Sequence, residues 1–376
     1  MMMKRQIQTA ALAAALSAGI AQQAPAQEVK IGVTLATTGT FAFVGAPVVN
    51  ALKLAAEEFA AADTFAPLKV TFIFEDNRSD KAEAIALLTR MATRDNAIMV
   101  IGPVSTGEAM ATGPVANELK IPMFTTATAP DVLKAGPWVF KSTETAEQYM
   151  TPLANHVAAK VKPKSCFLVF IRDNEGYIRQ KDVFRDVVKT GGVAISGEES
   201  ILAADSDFTA LATKVASAKS DCLFLSTPPE QGANIVLQSR QAGMAAATTL
   251  VGNTGMGSDR YVKAGGAAVE GTLLPAEFVP TGVNELSRKF IENYTKRFGI
   301  APDSWAGVGY SMALIVADAI KKAGPNPTRE GIRDAMTKTA DLPVVIGQGK
   351  FSLDADRIPH FGAAVLMVKD GKWVQP

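Results

Sequence analysis

Gly102-Pro-Val-Ser-Thr-Gly107 sets a glycine, four residues and a second glycine directly after an apolar run, residues 98–101 (IMVI). That spacing is most of a phosphate-binding loop. The chemistry fails at the next position, where such a loop needs Lys and then Ser or Thr to reach phosphate and magnesium. Here Glu108 follows, and its charge would repel phosphate. The turn keeps other assets. It leaves the carboxyl end of a strand-like run, where open α/β sheets bind ligands. It enters a helix-like run, so unpaired backbone N–H groups and the helix dipole would face the crevice. Ser105 and Thr106 add hydroxyls, and Thr125-Thr-Ala-Thr128 adds more at the end of the next strand-like run. Together these suit a small anion, most simply a carboxylate. The plain alternative is that Ser105 and Thr128 only cap helices.

Other chemistry is thin. His156 and His360 lie on unrelated segments, and neither Cys166 nor Cys222 belongs to a CxxC pair, so no metal cage or cofactor is expected. Gly309-Tyr-Ser-Met-Ala313 imitates a nucleophile elbow, but Ser311 falls inside an apolar helical run rather than between a strand and a helix. An enzyme is therefore not expected. Cys166 and Cys222 each open an apolar run, and an oxidising compartment would permit a bond between them. Two buried free thiols are the alternative.

The elements that must carry the loop follow from periodicity. Strand-like runs at 29–35, 68–75, 98–101 and 122–125 alternate with helix-like runs at 46–62, 80–96 and 108–119. The rhythm repeats with strands at 166–171, 193–199, 222–226 and 249–251, and helices at 177–190, 208–218 and 231–242. This predicts two parallel, doubly wound α/β units. Helices at 284–298, 306–323 and 328–337 and strands at 351–353 and 363–368 are too few for a third unit. They imply that the chain crosses back between two lobes, and several crossings would make a hinge.

Length and composition agree. The chain has 376 residues, 48% hydrophobic and 20% charged, enough for two buried cores. Lys4 and Arg5, the apolar run 9–20 and Ala24-Pro-Ala26 read as a secretory leader cut after Ala26. Its removal leaves 36 bases against 37 acids, a balance that gives no reason to expect nucleic acid. No cysteine follows the leader, so no lipid anchor is expected, and the periplasm is the expected compartment.

From Ile31-Gly-Val-Thr-Leu-Ala-Thr-Thr-Gly39 and Ala42-Phe-Val-Gly45 onward, the order of motifs resembles a known family. Phe74-Glu-Asp-Asn77, Ile101-Gly-Pro-Val-Ser-Thr106 and Ile121-Pro-Met-Phe-Thr-Thr-Ala-Thr-Ala-Pro130 continue it. So do Phe208-Thr-Ala-Leu211, Gln238-Ser-Arg-Gln-Ala-Gly243, Glu270-Gly-Thr272 and Tyr310-Ser-Met-Ala313. The chain is similar to the periplasmic solute-binding proteins of branched-chain amino-acid-type ABC transporters. The resemblance covers nearly all residues after the leader. It implies a type I periplasmic-binding fold: two Rossmann-like lobes with parallel sheets, joined by hinge strands, trapping a small ligand by closure. Residues 27–145 with about 277–350 would form one lobe, and 146–276 with about 351–376 the other. The implied partners are a small-molecule ligand and a membrane permease, with the protein itself a monomer.

The resemblance also implies site residues. Val104, Ser105, Thr106, Ala127 and Thr128 would hold the ligand's carboxylate. Val44 aligns with an aromatic wall, beside Phe41 and Phe43, and Tyr177 with a pocket aromatic. Thr227 stands in Thr227-Pro-Pro229, where amino-acid binders often carry an aromatic. The acid that holds an amino acid's ammonium aligns with Thr254, and a second family acid falls near Thr145, with Glu144 and Glu147 close by. The carboxylate end is kept and the amine end altered. The expected ligand is therefore a small carboxylate without an α-amino group, an aromatic or oxo acid. A branched-chain or other amino acid is the main alternative, and a sensor lobe that presents its ligand to a receptor is another.

Overall fold

Residues 27–376 are described by the structure, a computed structural model. The expected leader and its cut after Ala26 lie outside them. Five parallel strands form the first sheet, in the order β2-β1-β3-β4-β5. They are β1 (Glu28–Leu35), β2 (Lys69–Asp76), β3 (Met99–Ile101), β4 (Met123–Thr125) and β5 (Val139–Lys141). Helices α1 (Ala42–Ala61), α2 (Lys81–Thr93) and α3 (Thr106–Glu118) connect the first four. β1 and β3 are buried on both faces, as a central parallel strand must be. Asp80 starts α2 by accepting the Glu83 N–H at 2.8 Å.

The second sheet runs β15-β14-β10-β9-β8-β6-β7. After α4 (Ala146–His156) come β6 (Ser165–Ile171), α5 (Glu175–Thr190), β7 (Ala194–Ile201), α6 (Thr209–Ser217), β8 (Cys222–Ser226), α7 (Pro229–Gln241), β9 (Thr249–Gly252), α8 (Asp259–Gly265) and β10 (Leu273–Ala276). After β11 (Leu342–Pro343), β12 (Lys350–Leu353) and β13 (Pro359–His360), which pair with one another, the edge of this sheet departs from the parallel pattern: β14 (Ala364–Lys369) pairs antiparallel with β10, and β15 (Lys372–Val374) folds back on it. The chain crosses between sheets three times: from β5 into α4, from β10 into α9 (Glu285–Phe298), and through residues 344–363 into β14.

Helix α10 (Ser304–Ala323) returns to pack on α1. Gly309 permits that crossing, because a Cβ there would stand 2.8 Å from the Val48 Cα and carbonyl oxygen. Ser311 sits mid-helix, buried, and accepts the Val345 N–H at 3.3 Å. The Gly-Tyr-Ser sequence thus serves helix packing.

Cys166 and Cys222 are register partners on adjacent parallel strands, their Cα atoms 4.3 Å apart and both fully buried. The sulfurs stand in bonding contact. Thiol titration of the mature protein, denatured without reductant, is expected to find no free thiol, and two after reduction. Two free thiols before reduction would rule the bond out.

Candidate functional site

The two lobes face each other across a cleft of about 400 Å³, counted with the space open at its mouth. The first lobe contributes Phe41, Phe43 and Val44 at the start of α1, and the loops that leave β3 and β4. The second contributes Asn174, Gly176, Tyr177 and Gln180 at the start of α5, and Asn253, Thr254 and Gly255 after β9. All of these lie at carboxyl ends of strands, because a doubly wound sheet aims its βα loops there. Trp305, at the start of α10, completes the wall. Phe41 packs against the cores of both lobes, so the cleft is closed around its lining.

Gly102 starts the β3 loop with φ at 112°, and a Cβ there would collide with the Thr34 carbonyl oxygen. The loop is pinned from the neighbouring strand. Thr125 donates its hydroxyl to the Pro103 carbonyl (2.6 Å), and Thr126 donates to that of Val104 (2.9 Å). Thr143 secures the β4 loop in turn, donating to the Ala127 carbonyl at 2.8 Å. Of the hydroxyls in Thr125-Thr-Ala-Thr128, two therefore hold the loop rather than face a ligand.

The start of α3 carries a full capping box. Ser105 Oγ accepts the Glu108 N–H, while the Ser105 N–H donates to the Glu108 carboxylate at 2.9 Å. One expected free donor is thus taken. The N–H groups of Thr106 and Thr128 have no partner among the described residues, and the Ser105 hydroxyl proton is unassigned. Burial raises the Glu108 carboxyl above its usual range. Lys81 Nζ also approaches, 3.2 Å from where a Cβ on Gly107 would stand.

Nine of the ten residues proposed from sequence share the cleft: Phe43, Val44, Val104, Ser105, Thr106, Ala127, Thr128, Tyr177 and Thr254. Thr227 does not. It is fully buried beneath α7, where its hydroxyl would lie 2.8 Å from a Cβ on Gly232. Thr254 is there, but its hydroxyl and N–H both donate to Gln180 Oε1, at 3.2 and 3.3 Å. Burial raises the Tyr177 phenol well above its usual value, so it faces the cleft as a neutral hydroxyl.

The two nearby acids are engaged elsewhere. Buried Glu144 accepts the N–H groups of Phe361 (2.9 Å), Gly362 (2.8 Å) and Ala363 (3.2 Å) on the third crossing. Glu147 pairs with Arg179. Thr145 caps α4, accepting the Gln148 N–H. Around Glu144 the hinge holds a polar cluster. Lys141 Nζ donates to the carbonyls of Thr143 and Glu144, and Ser304 donates to Glu277. Full burial presses Lys141 down to about 7 and lifts Glu277 to about 7.

Phe41, Asn174, Gln180, Asn253 and Trp305 also line the cleft but were not among the ten. Among the described residues, the lining contains no charged side chain. It has four aromatic rings, and it has unpartnered polar atoms: the Trp305 indole N–H and both ends of the Asn253 amide. Among the described residues there is no cluster of metal-ligating side chains. The arrangement sets aromatic faces beside N–H and hydroxyl donors.

Known proteins share this architecture. A family model described as periplasmic binding protein matches residues 28–372. A Leu/Ile/Val-binding protein homologue of Brucella melitensis is 26% identical over 348 residues, 92% of each chain. Among solved structures, the branched-chain amino acid transporter substrate-binding protein of Streptococcus pneumoniae, in complex with isoleucine, superposes with a TM-score of 0.86. It is 24% identical, over 92% of this chain and 98% of that one. An ABC transporter solute-binding protein of Rhodopseudomonas palustris, in complex with 3,4-dihydroxybenzoic acid, gives 0.84 at 23% identity, over 92% and 95%. At these identities the structural likeness is one of fold.

Proposed function

The chain belongs to the periplasmic binding protein family, and we propose that it captures a small carboxylate without an α-amino group, an aromatic or oxo acid, for an ABC importer. The observation that carries this is that, among the described residues, no acidic side chain lines the cleft. An ammonium buried there would have no carboxylate partner, which is costly in a desolvated site. A carboxylate fits better. Hydrogen bonds to it from N–H and O–H donors are worth roughly 1.5–3 kcal/mol each. Thr106 and Thr128 offer such donors on the first lobe, with Ser105 beside them. Phe41, Phe43, Tyr177 and Trp305 supply apolar faces for a ring or alkyl chain.

Binding would proceed by lobe closure in the periplasm. The first-lobe cradle is present in the open form, and contacts from Tyr177 and Asn253 form only when the lobes meet. The ligand shifts the population towards the closed state by the free energy of those extra contacts. The closed protein then delivers its ligand to a permease.

A thermal-shift screen of mature protein, unfolded and refolded to strip bound ligand, tests this. Aromatic and oxo acids are expected to raise Tm by mass action, with leucine, isoleucine and valine inactive at the same concentration. A dominant response to a branched-chain amino acid would overturn the proposal. Neutral acceptors such as Asn253 Oδ1 would then hold the ammonium.

A further inference from the structure

Asn253 is fully buried and borders the cleft, yet neither Nδ2 nor Oδ1 has a hydrogen-bond partner among the described residues. A buried amide left so is costly, because its donors and acceptor have given up water for nothing. Its backbone is fixed: the N–H donates to the Leu225 carbonyl at 3.1 Å, and its carbonyl accepts the Met256 N–H at 3.2 Å. The side chain is therefore held at the carboxyl end of β9 by the sheet. Tyr177 lies close by. A single point, the position of a Cβ on Gly255, is 3.4 Å from Asn253 Nδ2 and 3.5 Å from the Tyr177 hydroxyl. The second lobe thus presents a neutral polar pair to the cleft, apart from the donors of Thr106 and Thr128 on the first.

We propose that Asn253 determines specificity by reading a hydroxyl group on the ligand, so that the preferred substrates are hydroxycarboxylic acids. The argument rests on the proposed carboxylate reading and extends it. An amide offers a donor and an acceptor side by side. A hydroxyl can accept from Nδ2 and donate to Oδ1 at once. A bare carbonyl uses only Nδ2, and an ammonium uses only Oδ1 while facing a donor. Because both ends of the amide are unpartnered, exchanging its N and O assignments does not alter the conclusion. Sites that hydrogen-bond a substrate hydroxyl reject analogues without it, because their own polar groups are then stranded.

Calorimetric titration with matched pairs tests this: benzoate against 3- and 4-hydroxybenzoate, and phenylacetate against mandelate. The wild-type protein is expected to bind at least one hydroxy acid about tenfold or more tighter than its parent. In Asn253→Leu that ratio should fall within about threefold of unity. No preference in the wild type overturns the assignment, and so does a preference that survives in the variant. If Asn253→Leu fails to fold, Asn253→Ala takes its place, and the wild-type ratio still decides whether a hydroxyl is read. Acids that bind without hydroxyl preference would sink this inference and leave the carboxylate reading standing. Binding of amino acids alone would sink both.

Discussion

Glu144→Ala is expected to destabilise the protein by about 4 kcal/mol, because three backbone N–H groups lose their only acceptor. Phe361, Gly362 and Ala363 all donate to this one carboxylate, across 217 to 219 residues of sequence. Each stranded donor costs about 1–3 kcal/mol when buried, and water reaching the half-buried pair lowers the sum. Glu144→Gln keeps one acceptor oxygen but turns an NH2 towards the same donors, and should lose about 2 kcal/mol. Both losses are large against the roughly 5–15 kcal/mol that holds a folded protein together. Urea denaturation followed by tryptophan fluorescence would measure them. The experiment also addresses what Glu144 is for. An acid kept to hold a ligand's ammonium would, on neutralisation, lose binding and leave the unliganded fold as stable as before. A stability change below about 1 kcal/mol for Glu144→Ala would therefore defeat the hinge role.

The case of Glu144 shows where sequence stops being informative. The helices and strands of both lobes follow local periodicity, and their expected bounds lie within four residues of the observed ones. The elements that sequence missed are short or disguised. β5 has three residues, β10 carries Pro275, and α4 contains Pro152. These elements build two of the three crossings, so the hinge was legible only as a surplus of elements at the carboxyl end. The cradle was legible because Val104–Thr106 and Ala127–Thr128 are each local to one loop after one strand. Thr227 misled because a strand end near the cleft is not enough. The approach of α7 decides which way that residue faces. Asn253 and Trp305 gave no signal, because an asparagine in a turn and a tryptophan at a helix start are ordinary. Only closure of one lobe on the other makes their polar atoms borders of a cleft.

Gly176→Ala should weaken ligand binding about a hundredfold, close to 2.7 kcal/mol. Gly176 lies in the first turn of α5, on the second lobe, facing the first. A Cβ there would stand 2.9 Å from Thr106 Oγ1 and 2.9 Å from Thr128 Oγ1, with Asn174 Oδ1 at 3.2 Å. Its φ is not among the positive ones, so alanine suits the local backbone and even favours the helix. The two closer clashes, with Thr106 and Thr128, arise only when the lobes meet. One methyl group must then either hold the lobes apart or turn both threonine hydroxyls out of the cradle. The first outcome removes the contacts of Tyr177 and Asn253, and the second removes two hydroxyls from the cradle proposed for the ligand's carboxylate, beside the N–H groups of Thr106 and Thr128. Either loses one or two bonds worth roughly 1.5–3 kcal/mol each. The unliganded protein should keep its stability within about 0.5 kcal/mol, since in the open form the methyl meets only Asn174 Oδ1 on its own lobe. Small-angle scattering separates the two outcomes. Saturating ligand would still compact the variant if the hydroxyls have turned, and would leave it extended if the lobes are wedged. Wild-type affinity in Gly176→Ala would mean that the ligand is not held between these threonines and α5.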